Sequence, residues 1–209
     1  MSELVVKQIV LASRPKGLPT RKNFRVEQVP MPELPQGGLL LRVLYLSLDP
    51  YMRGRMDDRK SYAKPVGLGE VMTGESVCEV IASDQVGYAV GDIVLAQTGW
   101  RTHAASAGAA LRKLDPAVAP ITTGLGVLGM PGFTAYAGLN LIGKPKPGET
   151  VVVAAAAARL AHWLGNSPSW LAQELSASPA ARKNAALSSK NFASMPLSII
   201  AYLTLPKSS

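Results

Sequence analysis

The chain has 209 residues, 47% of them apolar and 17% charged, with a formal net charge of +8. This composition marks a globular protein rather than a disordered one, with room for one large domain or one domain and part of another. No apolar run reaches the roughly 20 residues a membrane helix needs. The N-terminus, with an acid near its start and no cleavage pattern, shows no export signal. A single cysteine, Cys78, excludes a disulfide framework and a Cys-rich zinc site. The expected location is the cytoplasm.

The charge divides evenly along the chain. Residues 159–209 hold Arg159, Arg182, Lys183, Lys190 and Lys207 against Glu174 alone, and the 158 residues before them hold 17 bases against 13 acids. Such a modest excess suits an anionic cofactor. Nucleic-acid binding would need clustered bases interleaved with aromatics, and no such cluster is present.

In chain order, the first signal is Leu39-Leu-Leu-Arg-Val-Leu-Tyr-Leu-Ser-Leu, a partly alternating run that predicts a strand ending at Asp49-Pro50. Val77-Cys-Glu-Val-Ile-Ala predicts another, and Gly91-Asp-Ile-Val-Leu-Ala a third, opened by a tight turn. Short strands separated by Gly and Pro turns imply a small barrel or sandwich. From Gly124 the texture turns helical, with Pro131 near the start, where its missing N–H costs little. Thr150-Val-Val-Val-Ala-Ala reads as a buried strand of a parallel sheet. Beyond residue 158 the composition breaks. Only Gly165 of the 19 glycines lies there, Trp163–Leu175 suggests an amphipathic helix, and nothing continues the sheet.

Three separated motifs carry a family resemblance. They are Ser47-Leu-Asp-Pro-Tyr-Met-Arg-Gly-Arg-Met56, Leu128-Gly-Met-Pro-Gly-Phe-Thr-Ala-Tyr-Ala-Gly-Leu139 and Lys146-Pro-Gly-Glu-Thr-Val-Val-Val-Ala-Ala155. Val10-Leu-Ala-Ser-Arg-Pro-Lys-Gly17 adds to them. Over residues 5–155 the chain resembles the zinc-free leukotriene B4 dehydrogenase/prostaglandin reductase branch of the medium-chain dehydrogenase/reductases, and within it the bacterial NADPH-dependent curcumin reductases. The resemblance implies a mainly β fold: a GroES-like β-barrel domain (1–122) followed by the start of a Rossmann α/β domain (123–157). It also implies NADPH as cofactor, a small enone as substrate, and hydride transfer to the β-carbon of an α,β-unsaturated carbonyl followed by protonation at the α-carbon. Zinc chemistry is disfavoured independently, because Cys78, His103 and His162 lack ligand spacing.

Tyr51 is the candidate catalytic residue. A phenol at a strand-to-turn transition can hydrogen-bond the enone oxygen and stabilise the enolate, or can simply line the cleft. Met52 is assigned to the substrate side, with packing as the plainer reading for it and Met56; Tyr62 is a weaker candidate there. Arg53 and Arg55 can attract cofactor phosphate or a carboxylated substrate, but pairing with local acids such as Asp57 and Asp58 is the favoured reading. Met130, Gly132 and Thr134 match the family's stretch beside the nicotinamide, where glycine permits close approach and a hydroxyl can bond the carboxamide. Glu75 and Cys78 stand where the family tends to have glycines; Cys78 is expected to be buried, and His103 to lie at the surface.

A dinucleotide fold needs a Gly-rich turn directly after its first strand, yet Val151-Val-Val-Ala-Ala is followed by Ala-Ala-Ala-Arg-Leu-Ala-His-Trp. Shifting the reading frame by one base lets the codons of Ala156–Leu164 encode Ser-Gly-Ala-Val-Gly-Ser-Leu-Val, the missing turn. The expectation is therefore a cofactor domain cut short by a one-base deletion within the codons of Ala154–Ala158, with an out-of-frame tail over 158–209. An evolved alternative tail is the competing account. Cofactor binding and activity should then be lost or weak, and the family's homodimer, formed through its cofactor domain, is doubtful. Alternatives are a working reductase completed by another polypeptide, and a non-enzymatic binding module built on the barrel.

Overall fold

The computed structural model describes residues 5–146, 151–153 and 175–177. The chain divides into two compact units, Met1–Thr122 and Thr123–Ser209.

The first unit is β-rich. Strands β1 (Val5–Leu11) and β2 (Phe24–Pro30) form an antiparallel pair in register from Val5↔Pro30 to Leu11↔Phe24. Five more strands, β3 (Leu39–Leu46), β4 (Ser76–Ser83), β5 (Ile93–Ala96), β6 (His103–Ser106) and β7 (Arg112–Leu114), make an antiparallel sheet of order β6-β3-β4-β5-β7. Ladder-like bonds tie the pair to the sheet: the Ile9 amide donates to the Trp100 carbonyl at 2.9 Å, and the Thr102 amide to that of Lys7 at 2.9 Å. The three strands expected from hydrophobic alternation are therefore present.

Alternation decides which side of the sheet is dry. Leu39, Leu41 and Val43 of β3 pack with Cys78 and Val80 of β4 and Val94 and Ala96 of β5 in one buried cluster. Burying each larger aliphatic side chain contributes roughly 1.5–3 kcal/mol. Cys78 is fully enclosed, as expected, and burial pushes its thiol up to about 12. It is a packing residue, not a nucleophile. The β3–β4 register shifts between Val43 and Tyr45. Such an irregularity bends a strand, and the helix α1 (Tyr51–Arg55) follows β3.

His103 corrects an expectation. Expected at the surface, it opposes Arg42 in the β3–β6 ladder and is buried, with its Nδ1 3.2 Å from the Thr102 hydroxyl. Burial, with Arg42 nearby, holds its imidazole below the ordinary value.

Gly99 is fixed by geometry. Its φ is +70°, and a Cβ there would lie 2.7 Å from the Met72 carbonyl oxygen. Gly99→Ala should destabilise the unit by about 1–3 kcal/mol, read as a lower denaturant midpoint with unchanged m value.

The second unit contains helix α2 (Met130–Tyr136), a π-helical turn (Ala137–Gly143) and strand β8 (Val151–Val153). Pro131 occupies the first turn of α2, as expected. The tail departs from expectation where it is described: Leu175–Ala177 forms β9, paired parallel with β8 from Val151↔Leu175 to Val153↔Ala177. A crossover of some 20 residues is long enough for such a pair. The remainder of the expected Trp163–Leu175 helix, and the Ala154–Ala158 break itself, lie outside the described residues.

Candidate active site

One end of the five-stranded sheet gathers polar groups. β3 finishes there, β4 begins and β5 finishes, so antiparallel pairing brings Asp49, Thr73, Glu75 and Gln97 to the same end. The Ser47 amide donates to the Glu75 carbonyl at 2.9 Å, and the Gly99 amide to that of Gly74 at 3.0 Å.

Tyr51 opens α1 at this end and is half-buried. Its phenol lies beside the side chain of Thr73. Burial raises the phenol above its ordinary value, and the negative charges of Asp49 and Glu75 add to the effect against the neighbouring Thr73 side chain and the charge of Arg55. The group is therefore a neutral hydroxyl over the physiological range, available as a hydrogen-bond donor.

Arg55 sits against two aromatic rings. Its guanidinium carbon lies 5.8 Å from the Tyr51 ring centroid and 5.3 Å from that of Tyr62. This spacing is within cation–π range and brings both candidate tyrosines to one cation, although Tyr62 is 82% exposed. Arg55 also donates to the Lys64 carbonyl at 2.9 Å. The expected pairing of arginines with Asp57 and Asp58 is thus half right. Arg53 bonds Asp57 at 2.6 Å, while Asp58 faces Arg14 at 3.6 Å, and Arg55, committed to the tyrosines and a carbonyl, makes no ion pair with either acid.

Met52 is placed differently from the other candidates. It is 3% exposed, and its Cε lies 3.2 Å from where a Gly74 Cβ would stand. Its contacts are those of a packing residue beneath the site, as are those of buried Met56. In the second unit Met130 is half-exposed, and the exposed Thr134 hydroxyl donates to the Met130 carbonyl at 2.8 Å. Gly132 is buried, and a Cβ there would strike the Val127 carbonyl. Its lack of a side chain is already required by the turn entering α2. No group of His, Cys, Asp or Glu among the described residues could hold a metal ion.

Glu75 received no functional assignment from sequence. It is half-buried, with its carboxylate 3.4 Å from the Gln97 amide nitrogen. Burial raises its carboxyl above the ordinary value, Arg112 opposes that, and Asp49 adds to it. A raised carboxyl binds its proton more tightly folded than unfolded, so its contribution to stability falls as pH rises past 4.5. Glu75→Gln should therefore raise Tm at pH 7 to 8, and the gain should vanish below about pH 4. Thermal unfolding across that range measures it; a gain that persists at low pH would assign the effect to packing.

Residues 7–114 match the family described as "N-terminal domain of oxidoreductase". The chain belongs to that family and to the zinc-free branch of the medium-chain dehydrogenase/reductases. It is 53% identical over 147 residues to the NADPH-dependent curcumin reductase of Escherichia coli, covering 70% of this chain and 43% of that protein. Against prostaglandin reductase 1 of Bos taurus it is 42% identical over 152 residues, covering 71% and 44%. Among solved structures, CurA from Vibrio vulnificus in complex with NADPH matches with a TM-score of 0.72 and 54% identity, covering 76% of this chain and 47% of that one. The chain thus spans under half the length of these relatives.

Proposed function

We propose that this chain carries the substrate-side half of an NADPH-dependent reductase of α,β-unsaturated ketones and aldehydes, and that by itself it turns over weakly or not at all. The observation that carries this reading is the half-buried Tyr51 phenol beside Thr73 at the end of the sheet. A neutral phenol donates a hydrogen bond to the enone oxygen and strengthens it as enolate charge develops. Arg55, against the Tyr51 ring, offsets part of the negative field from Asp49 and Glu75. The NADP-linked relatives support the cofactor assignment.

When bound, NADPH supplies the hydride. Thr134 offers the carboxamide an oxygen lone pair even while its proton is engaged with the Met130 carbonyl. Within the matching region the exposed Met130 can meet a ring face, whereas Gly132 acts through the turn it permits. The pyrophosphate turn falls on residues 154–164, which lie outside the described ones. The frame change proposed for codons 154–158 accounts for weak cofactor binding, and sequencing the gene tests it directly.

An NADPH titration followed by an enone-dependent loss of nicotinamide absorbance tests the proposal. Feeble NADPH binding with measurable enone binding, sensitive to Tyr51→Phe, is expected. Tight NADPH binding with rapid turnover would show that the chain is a complete catalyst. Enone binding indifferent to Tyr51 would favour a barrel that serves as a binding module.

A further inference from the structure

The two candidate tyrosines belong to different pieces of chain and meet on one cation. Tyr51 opens α1, while Tyr62 lies in the irregular segment 57–65. The Arg55 guanidinium carbon is 5.8 Å from the first ring centroid and 5.3 Å from the second. Among the described residues no acid pairs with Arg55, whereas Arg14, Arg25, Arg42, Arg53 and Arg59 each have one. A half-buried guanidinium without a counter-ion keeps its field for the aromatic faces beside it.

The course of the segment does not depend on that side chain. The Val66 amide donates to the Arg55 backbone carbonyl at 2.8 Å, a bond that any residue at this position can accept. Arg14 clips the same base, donating to the Met56 carbonyl at 2.8 Å and to that of Val66 at 3.3 Å. What the Arg55 side chain adds is a bond to the Lys64 carbonyl at 2.9 Å, two residues beyond Tyr62, and the contact with both rings. Tyr62 is 82% exposed, so few neighbours restrain its ring apart from this cation. The same charge acts on the Tyr51 phenol, pulling its proton affinity down where Asp49 and Glu75 push it up.

We propose that Arg55 is a positioning residue that couples the two tyrosines: it sets the Tyr51 ring at the end of the sheet and draws Tyr62 in beside it, so that a ligand at the Tyr51 phenol also meets the Tyr62 ring. That the ligand is an enone rests on the proposed function; the coupling of the rings does not.

NMR of the full chain, isotope-labelled at its tyrosine rings, tests the coupling, with Tyr51→Phe and Tyr62→Phe assigning the two signals. Arg55→Met should move both resonances and shift the Tyr51 titration midpoint upward. Arg55→Lys keeps the charge and loses the fork that bonds Lys64, so it should return the midpoint while the Tyr62 resonance stays displaced. Tyr62→Ala, at an exposed position, guards against a misfolded Arg55 variant and should move the Tyr51 resonance through Arg55. A general loss of structure would instead move Tyr45 and Tyr88 as well and would count against a positioning role. Binding of benzylideneacetone to the same samples separates the coupling from the enone assignment. Arg55→Met should weaken it about two- to fivefold, as loss of one cation–π contact implies. Coupled rings with no enone binding would support the coupling and defeat the enone assignment alone. A Tyr51 midpoint unmoved in Arg55→Met, or a Tyr51 resonance indifferent to Tyr62→Ala, would overturn the proposal.

Discussion

Restoring one base within the codons of Ala154–Ala158 is expected to produce a protein that binds NADPH with a dissociation constant of about 10 μM or below, in the range of ordinary enzyme affinities. The unaltered chain should show no saturation at that concentration. The reasoning rests on how a dinucleotide is held. Its pyrophosphate needs backbone N–H groups at a helix N-terminus, brought close by glycines. Ala156-Ala-Ala-Arg-Leu-Ala supplies Cβ atoms where that approach must occur. The shifted frame puts Gly and Ser back after β8. Nicotinamide fluorescence measures the change. If the restored frame gives no gain, the tail is an evolved sequence and the frame account fails.

In that restored protein, Tyr51→Phe should lower kcat by about 10²–10³-fold with little change in KM, the loss typical of one oxyanion-stabilising donor. Phenylalanine keeps the ring that faces Arg55 and removes only the hydroxyl beside Thr73. A structural role would instead lower Tm and leave turnover of the folded fraction intact. Thr73→Val separates the two further. It should misdirect the phenol and reduce kcat by a smaller factor, because the donor itself remains.

The parts of this chain that could be read in advance are those whose chemistry is local. β3 and β4 announce themselves because Leu39, Leu41 and Val80 alternate with less buried positions, and β5 because a short apolar run follows the Gly91-Asp92 turn. β6 and β7 do not, since His103-Ala-Ala-Ser and Arg112-Lys-Leu are too short and too weakly patterned to distinguish from loop. β2 is missed for a different reason: its burial pattern has no dry face. Tyr51 was legible because its motif is contiguous. Thr73, Glu75 and Gln97 reach it only through strand pairing across more than 20 residues of sequence, and no local pattern records that pairing. The departure of Glu75 from the family's glycine was the one available signal. His103 was misread because its partner, Arg42, lies on another strand. The β8–β9 pair could not be foreseen, since parallel pairing uses backbone groups that any residue carries.

β2 has a consequence for how the molecule behaves in company. Among the described residues it pairs only with β1, so its far side offers unsatisfied amides and carbonyls to any passing strand. Along it run Arg25 and Glu27, joined at 2.6 Å, and it closes on Pro30, which has no amide to give. Charges and a terminal proline are the devices that keep a bare edge from recruiting copies of itself. A second copy meeting this edge finds a charged surface and a ladder that stops at the proline.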